Sequence, residues 1–178
     1  AFTVTDFDGD NALPNGEVID TVTLRSVTGV DITATSNVGA YADEIAIMGQ
    51  SGSNGFSARN YDLSYATGNL VVIPRAVTLT ASRQERNYGE TMLLDDTAFT
   101  VTDLDGDSVL PNEEMIDAVT LNSITGIGSH TTAEVGVYAD EIEITGQAGS
   151  NGFDVDNYEL SYVTGDLAVV AQTYEGWI

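Results

Sequence analysis

The sequence predicts an all-β fold, and three observations support this. Short runs are rich in Val, Ile, Thr and Tyr, and several of them alternate apolar with polar residues, as half-buried strands do. Gly and Asn separate these runs at intervals of roughly 8 to 12 residues, which is the spacing of turns in a sandwich or small barrel. No stretch keeps a helical period for more than about two turns.

The predicted elements follow one another in a regular order. Gly29, Gly39 and Gly49 are predicted to mark turns between strands. Pro14 and Pro111 each open a predicted single helical turn, because proline is tolerated at the first position of a helix. Strands are expected at residues 2–5, 18–24, 41–47, 61–65, 70–73 and 77–80.

A gapless internal repeat organises the chain. Residues 1–73 recur as residues 98–170, and 46 of the 73 aligned positions are identical. A period of 97 residues indicates a tandem array of whole domains. Such duplication favours a structural or binding role, since repeated modules supply length, rigidity or avidity.

The phase of the repeat predicts the domain boundaries. If a module begins near Arg75, the second repeat is complete over 74–171, whereas the first repeat, 1–73, lacks the counterpart of its N-terminal strand. That strand would come from an upstream repeat or from another copy by strand addition. Residues 172–178 depart from the repeat and include Trp177. This tail is predicted to be either an ordinary terminal strand or a strand that docks into another subunit.

The charge of the chain restricts its partners. There are 28 acidic residues against five arginines and no lysine, and the net charge is −23. Nucleic acid and anionic lipid are therefore poor partners and are not expected to bind, because phosphate recognition relies on Lys and Arg. No apolar run approaches the length of a membrane span, so membrane insertion is not expected. A chain this acidic repels itself unless counterions are abundant, which favours an extracellular, cell-surface location.

Each repeat contains an acidic loop of twelve residues, 6–17 and 103–114, with carboxylates at positions 1, 3, 5 and 12. The pattern resembles the calcium loop of EF-hand proteins, which adds a backbone carbonyl at position 7. It departs from that family at position 6, which is Asn11 or Ser108 instead of Gly, and in its flanks, which read as strands. The predicted Ca²⁺ ligands are Asp6, Asp8, Asp10, Ala12 and Glu17 in the first loop and Asp103, Asp105, Asp107, Val109 and Glu114 in the second.

Alternatives to a calcium site remain open. Asp and Gly also make good turns without any ion, although three Asp within five residues repel one another unless a cation is present. The pairs Asp43-Glu44 and Asp140-Glu141 are predicted to be solvated surface, because consecutive side chains of a strand face opposite ways.

Catalysis finds little support, so the chain is not expected to be an enzyme. His130 is the sole histidine and aligns with Thr33, which excludes a duplicated triad. Tyr and Phe at strand positions are expected to belong to the core or a sheet face, with a sugar-stacking platform as the alternative.

Three motifs resemble those of the MBG or YDG repeats of large bacterial surface proteins. The first motif is the end of the repeat, where residues 60–70 read Asn-Tyr-Asp-Leu-Ser-Tyr-Ala-Thr-Gly-Asn-Leu and lead into residues 74–81, Pro-Arg-Ala-Val-Thr-Leu-Thr-Ala. The second is Tyr-Gly-Glu at residues 88–90. Val-Gly-x-Tyr also occurs at residues 38–41 and 135–138. The resemblance implies a secreted adhesin whose many β modules hold a terminal binding domain away from the cell, and it carries no catalytic residues.

Together these observations predict tandem, elongated β modules, each an immunoglobulin-like sandwich or, as the alternative, a β-grasp-like arrangement. The predicted function is a spacer or fibre unit of a bacterial adhesin, stiffened by calcium and contacting neighbouring repeats of the same protein. A carbohydrate-binding surface module and a strand-exchanged filament subunit are the alternatives.

Overall fold

The computed structural model of the chain describes residues 2–6, 8–9, 11–30 and 35–173. It confirms the all-β class: β-strands dominate the described residues, and the helical elements among them are three-residue 3-10 turns. The chain divides into two compact units, 1–73 and 74–178. Among the described residues, none of the helical segments has the length and apolar character needed to cross a membrane.

The described residues of the first unit form one antiparallel sheet of three strands. They are β1 (Val18–Ser26), β2 (Gly39–Ser53) and β3 (Gly68–Val72), in the order β1-β2-β3. The turns predicted at Gly39 and Gly49 are wrong, since both residues lie within the 15-residue strand β2. Gly49 pairs with Thr23 beside a register shift, so the strand continues through this position with an irregular pairing.

The second unit contains two sheets built from seven strands among the described residues. The strands are β4 (Arg75–Ala81), β5 (Gln84–Asn87), β6 (Phe99–Asp103), β7 (Met115–Ser123), β8 (Gly136–Ser150), β9 (Tyr158–Val163) and β10 (Gly165–Val170). One sheet has the order β5-β10-β8-β7 and the other β6-β4-β9. The pairs β4/β9 and β5/β10 are parallel, and the other pairs are antiparallel.

The core of the second unit lies between its two sheets. Strand β4 alternates regularly, and Val77, Leu79 and Ala81 are buried on one face. They belong to the same hydrophobic cluster as Ile142 and Leu167 of the opposite sheet. Leu79, Ile142 and Leu167 are each 0% exposed, so the two sheets enclose a dry core as in a β-sandwich.

The predicted strands at residues 2–5 and 61–65 are wrong, because neither segment forms a strand in the structure. Their counterparts in the second unit are β6 and β9, and both of those strands pair with β4, which lies between them. The first unit contains no counterpart of β4 among its described residues. The residues of these segments favour a β conformation. They do not form strands because the central strand that would pair with their backbone N–H and C=O groups is missing from the described part of this unit.

The buried strand β4 leads to a stability prediction. Leu79→Ala is expected to lower the free energy of unfolding of the second unit by about 2–5 kcal/mol, since it removes a fully buried side chain and leaves a cavity. Leu93→Ala is the matched control: Leu93 is 95% exposed, and the expected change is within about 0.5 kcal/mol. Urea unfolding measures both, and equal losses would contradict this placement of β4.

Candidate functional site

The acidic loop of the second repeat begins where β6 ends. The Asp103 carboxylate folds the loop onto itself, because its Oδ1 accepts hydrogen bonds from the backbone N–H groups of Asp105 and Asp107, both at 2.9 Å. In the first repeat, Asp6 Oδ1 accepts from the backbone N–H of Asp8 at 3.0 Å. The first Asp of each loop therefore closes a turn, which is a local role that needs no ion.

Arg75 supplies a positive charge to the second acidic loop. Its Nη2 lies 2.5 Å from Asp103 Oδ2 and 2.6 Å from Asp105 Oδ2, while its Nε donates to Asp103 Oδ2 at 3.1 Å. Antiparallel pairing of β4 with β6 places Val77 opposite Asp103, which brings the start of β4 beside the end of β6. The guanidinium thus offsets the repulsion between the two neighbouring Asp side chains.

Burial makes this pair a structural feature of the second unit. The Asp103 side chain is 2% exposed, whereas Arg75 keeps a third of its side chain in solvent. Hydrogen bonds from Arg75, together with the backbone N–H groups of Asp107 and Asp105, hold the pKa of Asp103 below its ordinary value despite burial. Asp103 therefore stays ionised at neutral pH.

The glutamate at position 12 of each acidic loop contacts a tyrosine. Tyr158 donates its hydroxyl hydrogen to Glu114 Oε2 at 2.7 Å, and Tyr61 donates to Glu17 Oε2 at the same distance. Burial and the Glu114 carboxylate raise the pKa of Tyr158, so this phenol remains protonated. The contact joins the end of the loop to the start of β9.

The predicted calcium ligands are thus divided between two contacts in the second repeat. Asp103 and Asp105 face Arg75, and Glu114 faces Tyr158, while Asp107 and Val109 lie on the exposed part of the loop. In the first repeat Glu17 faces Tyr61, and Asp10 lies outside the described residues. Within the described ranges, no group of three or more His, Cys, Asp or Glu side chains is arranged to hold a metal ion. Calcium coordination by these residues, including the carbonyls of Ala12 and Val109, stays a prediction.

The prediction that Glu44 and Glu141 lie on the solvated surface is wrong. Glu44 is 2% exposed and Glu141 is 4% exposed. Glu141 Oε1 accepts from the Ser123 hydroxyl at 2.5 Å and from the Thr125 backbone N–H at 3.0 Å, and Oε2 accepts from the Thr125 hydroxyl at 3.0 Å. Glu44 has the equivalent contacts with Ser26 and Thr28.

Each buried glutamate therefore sits in a cradle of donors that compensates for lost hydration. Burial alone would raise the pKa of Glu141, but hydrogen bonds from Ser123, Thr125 and the backbone of Ile127 outweigh it and the pKa lies below its ordinary value. The sequence contains one signal for this cradle, which is the repetition of Ser-x-Thr-Gly at residues 26–29 and 123–126, eighteen positions before the glutamate.

Arg86 holds the turn that contains Tyr88 and Gly89. Its buried guanidinium donates to the carbonyl oxygens of Asn87, Glu90, Ile127 and His130 at 2.5 to 3.1 Å. Gly89 adopts φ +86°, a conformation that glycine adopts without strain. The Tyr-Gly-Glu segment is therefore a turn tied to the loop at residues 127–130.

Comparison with known proteins identifies one family. Residues 77–168, just over half of the chain, match the model of the MBG domain (YGX type) family. The matched range includes Arg86 and the Tyr88-Gly89 turn that it holds. No curated protein and no solved structure matches the chain.

The Arg75 contacts predict a specific loss of stability. Arg75→Met is expected to lower the urea midpoint of the second unit at pH 7, because the buried Asp103 carboxylate loses its cation. Arg83→Met is the matched control, since Arg83 and Glu85 are both more than half exposed and such a pair contributes within about 1 kcal/mol. Equal losses in the two variants would contradict a structural role for Arg75.

The glutamate cradle predicts a pH dependence. Because the folded pKa of Glu141 lies below its unfolded value, its contribution to stability is present above the unfolded pKa of about 4.3 and is lost as the pH falls through the folded pKa. Glu141→Gln should therefore be less stable than the wild type at pH 7, and the gap should narrow below about pH 4. Glu159→Gln, at an exposed position, is the control for urea titrations across this range. A gap that stays constant with pH would refute the cradle.

Proposed function

Because the chain belongs to the MBG domain (YGX type) family, we propose that it is an extender module of a secreted bacterial adhesin. Domains of this family are repeat modules of surface proteins. In this proposal, successive β-sandwich repeats hold a terminal binding domain away from the cell, and each module has to remain folded when the protein is under tension.

The observation that carries the proposal is the parallel pairing of β4 with β9. Residues 75–80 pair in register with residues 158–163, so the first strand of the second unit is hydrogen-bonded alongside a strand near its end. The pair β5/β10 repeats this arrangement over residues 84–87 and 167–170. Pulling the ends of the unit apart slides parallel strands along one another, so the interstrand hydrogen bonds are loaded together.

The composition supports an exterior location for such a module. The net charge of −23 keeps a surface protein soluble and is tolerated where counterions are abundant. The chain contains no cysteine, so the load is borne by strand pairing and core burial without disulfides. We therefore place the module outside the cell as part of the proposal.

Calcium is the ion we propose for the acidic loops, on the basis of the repeated carboxylates at positions 1, 3, 5 and 12. In the second repeat the Arg75 guanidinium lies against Asp103 and Asp105, so an ion bound by both would have to displace it.

The calcium proposal predicts a shift in thermal unfolding. At a dissociation constant of about 0.1 mM and about 10 mM calcium, each site would add about 2.7 kcal/mol. The melting temperature of the wild type should rise in calcium relative to EDTA, and Asp8→Ala/Asp105→Ala should lose the rise. Arg75→Met should bind calcium more tightly at the second loop, because it removes the competing cation. Identical curves with and without calcium in all three proteins would remove calcium from the function.

The extender proposal predicts mechanical anisotropy. Because the chain has no cysteine, Pro74→Cys/Gln172→Cys provides unique tethers at the ends of the second unit for single-molecule pulling. This geometry loads β4 against β9 in shear. Pro74→Cys/Leu104→Cys is the control, in which β4 and β6 are peeled apart one hydrogen bond at a time.

The shear geometry should need a clearly higher unfolding force than the peeling geometry. Equal and low forces in both geometries would contradict a tension-bearing spacer. A glycan array provides the second check, because a spacer should bind no glycan above background.

A further inference from the structure

The first unit presents an apolar sheet face that its own described residues do not cover. Ile142, Leu167 and Val119 of the second unit are at most 3% exposed, whereas their counterparts Ile45, Leu70 and Val22 all remain partly exposed. Among the described residues of the first unit, no hydrophobic side chain is buried. The sequences are nearly the same, so the difference lies in what packs against the face.

Strand β4 supplies that cover in the second unit. It inserts between β6 and β9 and buries Val77, Leu79 and Ala81 against the opposite sheet. In the first unit, the segments equivalent to β6 and β9 flank a cleft of about 150 Å³. The cleft is lined by residues 2–5 and 62–65 and by apolar side chains of β1 and β2, including Ile19, Val22 and Ile47. It occupies the place that corresponds to β4.

A glycine gives independent evidence for the same occupant. In the second unit a Cβ atom on Gly165 would lie 2.4 Å from the carbonyl oxygen of Ala81, so the end of β4 requires glycine there. The first repeat also has glycine at this position, Gly68. A Cβ atom on Gly68 would meet only Ile45 within 4 Å, at 3.6 Å, which is an ordinary contact. Gly68 thus has room for a strand end like that of β4.

We propose that residues 1–73 form an acceptor groove for a β4-type strand supplied by an adjoining repeat of the same kind. The strand carries Arg at its first position and apolar residues at its third, fifth and seventh positions, as residues 75–81 do. Transposed by the 97-residue period, the register places the third residue between Asp6 and Leu63 and the fifth between Val4 and Tyr65.

Two further features fit this occupant. Asp6 and Asp8 hold the positions of Asp103 and Asp105, so the Arg of the incoming strand approaches two carboxylates as Arg75 does. Strand β3 of the first unit corresponds to β10, and in the second unit the parallel strand β5 pairs with one edge of β10. In the proposed arrangement, the β5-like segment that follows the incoming strand pairs with the corresponding edge of β3 and extends the sheet of the first unit. The inference rests on the geometry of the groove and stands whether or not the module bears tension.

The decisive test is a fusion that places a second copy of residues 75–97 directly ahead of residue 1 of the full chain. The first unit should melt at a higher temperature in the fusion than in the unfused chain. Gly68→Ala should leave the unfused chain unchanged, since it meets open space and Ile45, but should cancel the gain in the fusion by clashing with the strand end. Leu79→Asp in the added copy alone should also cancel the gain, because it places a charge in an apolar groove.

Peptide binding to the full chain tests the same groove in trans. A peptide with the sequence of residues 75–87 should bind once per chain in calorimetry, and its Leu79→Asp version should bind weaker by about tenfold or more. A fusion that melts like the unfused chain would overturn the proposal.

Discussion

Strand β4 is the element on which the second unit depends, because it pairs on both edges and buries one face. Its antiparallel partner β6 and its parallel partner β9 are separated by more than fifty residues of sequence, and β4 is the strand that joins them into one sheet. The face of β4 contributes Leu79 to the centre of the core, and its first residue, Arg75, neutralises the buried Asp103. Pairing, apolar burial and charge compensation therefore converge on seven residues.

The first unit separates the interactions that need β4 from those that do not. The glutamate cradle is present in both units, and Glu44 stays buried although the apolar side chains of the same sheet remain partly exposed. Its donors come from the end of β1 and the turn that follows, so the cradle is local to the β1–β2 pair. The contact of Tyr61 with Glu17 is likewise preserved. A buried apolar core is what the described part of the first unit lacks, since such a core requires a second sheet.

The sequence predicted the all-β class, residues 41–47 of β2 and a turn at each of Pro14 and Pro111, because these follow from local pattern and turn chemistry. The two turns are not regular helical turns, since Asn15 and Asn112 adopt φ of 60° and 59°. It did not distinguish residues 2–5 from 99–103, since the difference lies in a partner strand and not in the residues themselves. The burial of Glu141 was missed because its donors, Ser123 and Thr125, lie eighteen and sixteen positions earlier in the sequence. Arg75 was not predicted to face Asp103, because that contact depends on a register across 28 residues.

Hydrogen exchange on the unmodified chain tests the central role of β4 most directly. The amides of residues 99–103 and 158–163 join ladders with β4, whereas those of residues 2–5 and 62–65 have near-identical sequences without that strand. Protection of the first two segments together with rapid exchange of the latter two is the predicted result. Equal protection in both repeats would mean that these segments form ladders without β4, and would contradict the account.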